Sequence, residues 1–447
     1  MFRRKLLTNL EEWKASPGRK PLVLRGARQV GKTSLVHEFG KTFDNYLYLN
    51  LEQDELCALF RSTTQIEELM TLIFAILRKT RLEGSMLLFI DEIQNCPEAI
   101  ASLRYFYEDS PEIHVIAAGS LLENVVDVRK SFPVGRVQYL AMRPCFFEEF
   151  LWANGDEELA GLLDKPSMTV PVHKPLMDLF NMYTVVGGMP EVVAEFVRRH
   201  DITALEDVYE SLLMGYRDDV EKYVLRGKEI DVVRFLLTVG WSKAGETISL
   251  GNFAGSNYRA SDIGEGFRLL HKAMLTELVY PVSGTGLPVI GETSRSPKLI
   301  WFDTGLVNYA SGVQTEVLRA VSLQDSWRGN VAEQIVAQEL LAMSDKVSAT
   351  RNYWRRNEKG SSAEVDFIFT YKSRVYPVEV KAGHNAHLKS LHSFMERSEG
   401  DIAFRIWPNP LSVDTVTTAC GKTFRLVSVP FYLVGRLDRV VDWLSEQ

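Results

Sequence analysis

The sequence predicts an α/β protein with two separate sheets, one near each end of the chain. Three stretches carry that reading. At 21–40 a short apolar strand, the glycine-rich run Gly26-x4-Gly31-Lys32-Thr33 and an apolar-periodic helix follow one another. The run "SMLLFIDEIQN" is apolar until it reaches Asp91 and Glu92, as expected of a strand buried on both faces of a parallel sheet. Beyond Ser326 the pattern is helix, three strands and helix, with Asp366, Glu379 and Lys381 set on otherwise apolar strands.

The chain has 447 residues, more than one core normally serves. The pattern divides it at 1–150, 151–225, 226–318 and 319–447. Hydrophobic residues make up 46% and charged residues 24%, an ordinary soluble composition. No apolar run reaches the roughly 18–20 residues that span a bilayer, so no membrane association is expected. The start, "MFRRKLLTNLEEWKAS", turns amphipathic and acidic and does not read as a signal peptide. Cys57, Cys96, Cys145 and Cys420 lie far apart without metal-ligand spacing and read as reduced thiols of a cytoplasmic protein. A net charge of −7 argues against non-specific coating of nucleic acid, though not against a local basic groove.

The strand Pro21 to Leu24, the glycine-rich loop and the helix bearing Leu35, Val36 and Phe39 form the P-loop pattern in its strand–loop–helix setting. In such a loop the backbone N–H groups of Gly26, Ala27, Arg28, Gln29, Val30, Gly31, Lys32, Thr33 and Ser34 close around phosphate oxygens. Lys32 is expected to reach the β and γ phosphates of ATP, and Thr33 to ligate Mg²⁺. Asp91 would hold the same ion through water, and Glu92 would deprotonate the attacking water. The run "IHVIAAGS" is a second buried strand, ending in Ser120. Ser120 reads either as a contact to the γ-phosphate or the water, or as a strand-ending cap. Arg136 follows a Pro-Val-Gly turn and reads as an arginine finger, in cis or toward a neighbouring subunit of a homo-oligomer, or as a solvated surface arginine. Arg143 is a weaker candidate for the finger.

This series resembles the bacterial and archaeal P-loop ATPases of the extended AAA group, over about the first 220 residues. No pore loop of the ring-forming unfoldases is evident. The following segment, "LFNMYTVVGGMPEVVAEF", is a helical lid broken at Gly187-Gly188-Met189-Pro190. It is similar to the Gly-x-Pro element of signal-transduction ATPases with numerous domains, which implies that Pro190 packs near the adenine. Its plain alternative is a helix break.

From Glu229 to about Ala310 three helices and the strand pair "VYPVSGTGLPVI" suggest a winged helix, which the resemblance also implies. The third helix is expected to run from a Ser261 cap through Ile263, Phe267, Leu270 and Met274 to Leu278. Arg259, Arg268, His271 and Lys272 would face DNA in one reading. In the other the module only packs against protein, since Asp262, Glu265 and Glu277 dilute the charge.

In the last domain Glu333 shares a helical stripe with Val336, Ala337 and Leu340, where a carboxylate is costly unless paired or used. Period-2 geometry puts Glu379 and Lys381 on one side of their strand, with Val378 and Val380 on the other. Asp366 likewise lies opposite Val365 and Phe367. Adjacent carboxylates need a cation between them, and oxygen ligands suit Mg²⁺ or Mn²⁺. Asp366, Glu379 and Glu333 are the candidate ligands, and Lys381 would serve the attacking water.

This arrangement resembles the PD-(D/E)xK nuclease-like fold, with Val365 replacing the usual proline before the aspartate. A simple Glu379–Lys381 surface ion pair and a non-cutting binding domain are its alternatives. The expected fold class is therefore α/β: a P-loop parallel-sheet ATPase domain with a helical lid, a winged-helix middle domain and an α/β restriction-endonuclease-like C-terminal domain. ATP, DNA or RNA and a protein partner are the binding partners this implies. The expected function is ATP binding and hydrolysis coupled to a nuclease-like domain; the alternative is a regulatory switch that does not cut.

Overall fold

The computed structural model describes residues 2–119, 133, 135–223, 227–314, 330–358, 363–381 and 388–446, with the helical path alone for 220–223. Its chain packs into two compact units. One comprises Met1–Arg143 with Lys272–Met274 and Asp345–Ser348; the other comprises the rest. No described helix is long and apolar enough to cross a membrane.

The first unit is built on strands β1 (Leu22–Arg25), β2 (Asn45–Asn50), β3 (Met86–Asp91), β4 (His114–Gly119) and β5 (Gln138–Ala141). They form one sheet in the order β2-β3-β4-β1-β5, every pair parallel. β1, β3 and β4 are buried along their whole length, as their unbroken apolar runs require. The core on one side gathers Leu88, Ile90, Ala117 and Val23 with Leu56, Phe60, Leu103 and Phe106 from helices.

Those helices also bring together residues that the sequence keeps apart. Asp54–Ser62 packs beside Pro97–Asp109, and Cys57 is joined to Cys96 as a disulfide across 39 positions. This corrects the reading of four separated thiols: spacing along the chain says nothing about two helices folded side by side.

The second unit centres on a mixed eight-stranded sheet. Its strands are β6 (Thr276–Val282), β7 (Lys298–Trp301), β8 (Asn352–Arg355), β9 (Glu364–Tyr371), β10 (Arg374–Val380), β11 (Ile402–Trp407), β12 (Ser412–Thr417) and β13 (Thr423–Pro430). They run in the order β12-β13-β11-β10-β9-β8-β6-β7. Trp354, Val365, Leu391, Phe394, Ala403 and Leu426 make the core under it.

Two expectations for the middle segment change here. The helix starting at Ala260 stops at Lys272, with Ile263, Phe267 and Leu270 buried. Met274 takes a left-handed turn (φ 58°), and Leu278 belongs to β6. Thr276–Val282 is rich in residues that favour strands, and it pairs antiparallel with β7, Leu278 facing Leu299. The second strand of the pair is thus Lys298–Trp301 rather than the "GLPVI" stretch. Nor does the pair stand out as a separate wing, because β6 also pairs in parallel with β8 and joins the larger sheet.

Candidate functional sites

In the first unit β1 feeds directly into the glycine-rich loop and the helix Lys32–Gly40. Gly31 caps that helix at φ 96°, a conformation that glycine adopts without strain. A β-carbon on Gly26 would collide with the carbonyl of Met142, so the loop's entry also excludes a side chain. The Lys32 ammonium is buried and donates to the carbonyls of Gly26 and Ala27, each at 2.9 Å. Burial lowers its pKa to about 8 against the pull of Glu92 and Asp91, with Arg28 adding to the lowering.

Thr33 Oγ1 donates to Asp91 Oδ2 at 2.7 Å, and the Tyr48 hydroxyl lies 3.5 Å from the same oxygen. Burial, then the Asp91 charge, pushes the Tyr48 phenol up to about 12, so it stays a donor. Glu92 sits at the C-terminal end of β3 in a left-handed conformation (φ 50°), and its carboxylate accepts from Gln94. Tyr48 and Gln94 were not picked out in the sequence; each lies close in space to the acidic pair rather than within its motif.

Arg136 forms an ion pair with Glu108, at the end of Pro97–Asp109, and is partly exposed. Arg143 donates to the carbonyl of Lys346 at 2.9 Å. Ser120 lies outside the described residues.

In the second unit Pro190 opens the helix Pro190–Arg199. The turn before it is pinned. Gly188 N–H donates to Asp303 Oδ2 at 2.6 Å, and Gly188 O accepts from Cys145 N–H at 2.7 Å. Of the basic residues of the middle segment, Arg268 pairs with Glu265, and His271 Nδ1 lies 2.9 Å from the Thr276 carbonyl.

The C-terminal carboxylates do converge. β9 and β10 are antiparallel neighbours with Val378 opposite Phe367, and Asp366 Oδ2 accepts from Val380 N–H at 2.8 Å. Glu379 is 5% exposed, so its side of the strand is covered rather than open. One of its oxygens, Oε1, meets the Lys381 ammonium at 2.8 Å. The other, Oε2, is buried without a hydrogen-bond partner among the described residues. Burial, then the nearby Asp366 charge, raises the Glu379 carboxyl to about 7, with Lys381 opposing.

Glu333 lies on Asn330–Leu340, a helix buried on nearly all sides and not only along one stripe. Burial, then Asp366, lifts its carboxyl to about 8 against the neighbouring Lys298. Lys298 is the member that sequence reasoning missed. From the start of β7 its ammonium reaches Glu333 at 2.7 Å, Asp366 at 3.2 Å and Glu364 at 3.3 Å. Burial works against that charge, but Asp366, Glu333 and Glu364 outweigh it and hold the lysine protonated. The available signal was a lysine heading the apolar run "KLIW".

A divalent cation fits this donor set. A buried carboxylate oxygen without a partner is costly, and hard oxygen donors suit Mg²⁺ and its relatives. Asp366 and Glu379 would hold such an ion, which would polarise a phosphodiester oxygen or activate a water.

Residues 18–151 match the family model of an AAA domain. Residues 177–317 and 328–412 match two models described as domains of unknown function, DUF8612 and DUF4143. No curated protein matches the chain. Among solved structures, the Walker-type ATPase PABY2304 of Pyrococcus abyssi is 16% identical at a TM-score of 0.40, over 69% of this chain and 96% of that one. The Aeropyrum pernix ORC1 protein in complex with DNA is 13% identical at 0.29, over 72% and 95%. Pif1 helicase from Candida albicans is 16% identical at 0.23, over 40% and 48%. Scores this low carry no argument about fold or chemistry. The AAA match, together with the loop geometry, supports a P-loop ATPase domain.

Proposed function

We propose that the chain is a Mg²⁺-dependent, ATP-hydrolysing switch whose second unit carries a nuclease-like domain directed at DNA or RNA. The observation that carries the ATPase reading is the convergence of Lys32, Thr33, Asp91 and Glu92 at the C-terminal ends of β1 and β3. That edge of a parallel sheet is where such folds bind ligands. Lys32 would leave the loop carbonyls for the β and γ phosphates. Thr33 and Asp91 would hold Mg²⁺, and Glu92 would take the proton of the attacking water. Ser120 and Arg136 would contact the γ-phosphate, the latter from a neighbouring copy in a homo-oligomer.

The nuclease-like reading rests on the unpartnered Glu379 oxygen beside Asp366, with Lys381 next to it. Lys381 would then steady the water that attacks a phosphodiester. A second reading, a cytoplasmic regulatory switch that binds a protein partner and cuts nothing, is favoured by Lys298, which already neutralises part of the cluster. The deciding experiment incubates the full chain with Mg²⁺ or Mn²⁺ on single-stranded, duplex and branched DNA and on RNA, with and without ATP. Cleavage that Asp366→Ala abolishes supports the first reading. No cleavage under any condition supports the second.

A further inference from the structure

Four carboxylates, from Glu333, Glu364, Asp366 and Glu379, meet two ammonium groups in one cluster whose Lys298 and Glu379 are buried and whose other members are partly exposed. Lys298 is 2% exposed. An ammonium has three N–H donors, and three carboxylates surround this one. Its charge also lies 5.2 Å from the ring centre of Tyr353 and 5.6 Å from that of Phe367, within reach of their faces. A lysine enclosed this way does not swing out to solvent as a surface side chain does.

We infer that Lys298 is the resident cation of this cluster and restricts it to one divalent ion, with Glu333 and Glu364 serving the lysine rather than the ion. The inference rests on the reading of Asp366 and Glu379 as a divalent-cation site. Three observations lead to it. Glu333 Oε2, Glu364 Oε1 and Asp366 Oδ1 are turned to Lys298. Among the described residues, Asp366 Oδ2 accepts from Val380 N–H and Glu379 Oε1 meets Lys381, which leaves lone pairs for an ion, and Glu379 Oε2 has no hydrogen-bond partner. With every carboxylate ionised, two ammonium groups leave two formal negative charges, which one divalent cation neutralises and a second would overshoot.

A single retained ion places the burden of catalysis differently from a two-ion clamp. One ion held by Asp366 and Glu379 would stabilise charge on one side of the phosphoryl centre, and a protein group would have to meet the other side. Lys381, partly exposed and bonded to Glu379, is the ammonium free to meet it. Lys298 is a positioning residue in this account: it draws the Glu333 helix, β7 and β9 to a common point and touches no substrate.

The test is Mn²⁺ binding to the full chain, followed by electron paramagnetic resonance in the absence of nucleotide. Every chain carries Asp91→Asn, so that the first unit contributes no ion. The expected result is one Mn²⁺ per chain, lost with Glu379→Gln. Lys298→Gln releases the Glu333, Glu364 and Asp366 oxygens and cuts the excess charge of a two-ion site from two to one, so it should raise the count to two, and Lys298→Arg should leave it at one. Glu333→Gln provides a check that does not depend on the Lys298 variants folding. It should weaken Mn²⁺ by at most about tenfold, the low end for an outer-shell partner. Two ions in the starting chain, an unchanged count in folded Lys298→Gln, or loss of binding in Glu333→Gln equal to that in Glu379→Gln would each overturn the inference. Absence of Mn²⁺ from the starting chain and from Lys298→Gln alike would instead remove the metal site itself.

Discussion

Thr33 Oγ1 donates a 2.7 Å hydrogen bond to Asp91 Oδ2, joining two motifs 58 residues apart in the chain. In the proposed function the hydroxyl of the first helical turn and the carboxylate ending β3 would share one Mg²⁺ with the phosphates of ATP. Thr33→Val keeps the shape and removes the oxygen; Asp91→Asn keeps the shape and removes the charge. Either should lower phosphate release by about 10²-fold or more, the scale of several kcal/mol of charge stabilisation. Wild-type rates in both variants would remove the ion from these two residues.

Arg136 is paired with Glu108 on a partly exposed surface. Water screens a pair this exposed and leaves it weak, so it would readily yield to a phosphate. If Arg136 acts on a neighbouring subunit, ATP turnover per chain should rise with protein concentration. Arg136→Ala should lose turnover by about 10³-fold, as for other arginine fingers, and mixing with Lys32→Ala chains should restore it. A flat rate with unimpaired Arg136→Ala would leave Arg136 as a surface ion pair.

Glu339 supplies a pH dependence away from either site. Its carboxyl is fully buried and accepts from Tyr183 at 2.7 Å and from Phe147 N–H at 3.2 Å. Burial raises it to about 7, with those hydrogen bonds opposing. Between the ordinary glutamate range and that value the folded chain binds a proton that the unfolded chain has released. Stability should therefore fall as pH rises from about 4.5 to 7 and then level off, by roughly 3 kcal/mol for this group alone. Urea unfolding across that range should show a shallower decline in Glu339→Gln. An identical slope would mean that Glu339 is ionised in the fold throughout.

The ATPase core was legible because its signals are local. Gly26 to Thr33 is one uninterrupted motif, and the apolar runs ending at Asp91 and Gly119 are continuous enough to fix two central strands. The pairing of β9 with β10 was legible from two strands joined by a short turn, and alternation gave the side of each strand that carries Asp366 and Glu379. Lys298 was not, because its contacts lie 35 to 68 residues away and depend on β7 being a strand at all. The middle helix was read too long because the spacing of Phe267, Leu270, Met274 and Leu278 fits a helix until β7 is there to pair with. The Cys57–Cys96 bond depends on two helices packing side by side, which periodicity does not report.

The central claim, that this P-loop hydrolyses ATP with Glu92 as the base, is tested most directly by phosphate release and ATP binding measured together on Glu92→Gln. The amide still orients water but does not take its proton. The account predicts ATP binding close to wild type with turnover reduced by about 10²–10⁴-fold, the usual contribution of a general base. Lys32→Ala in the same assay should lose binding itself. Wild-type turnover by Glu92→Gln would contradict the account.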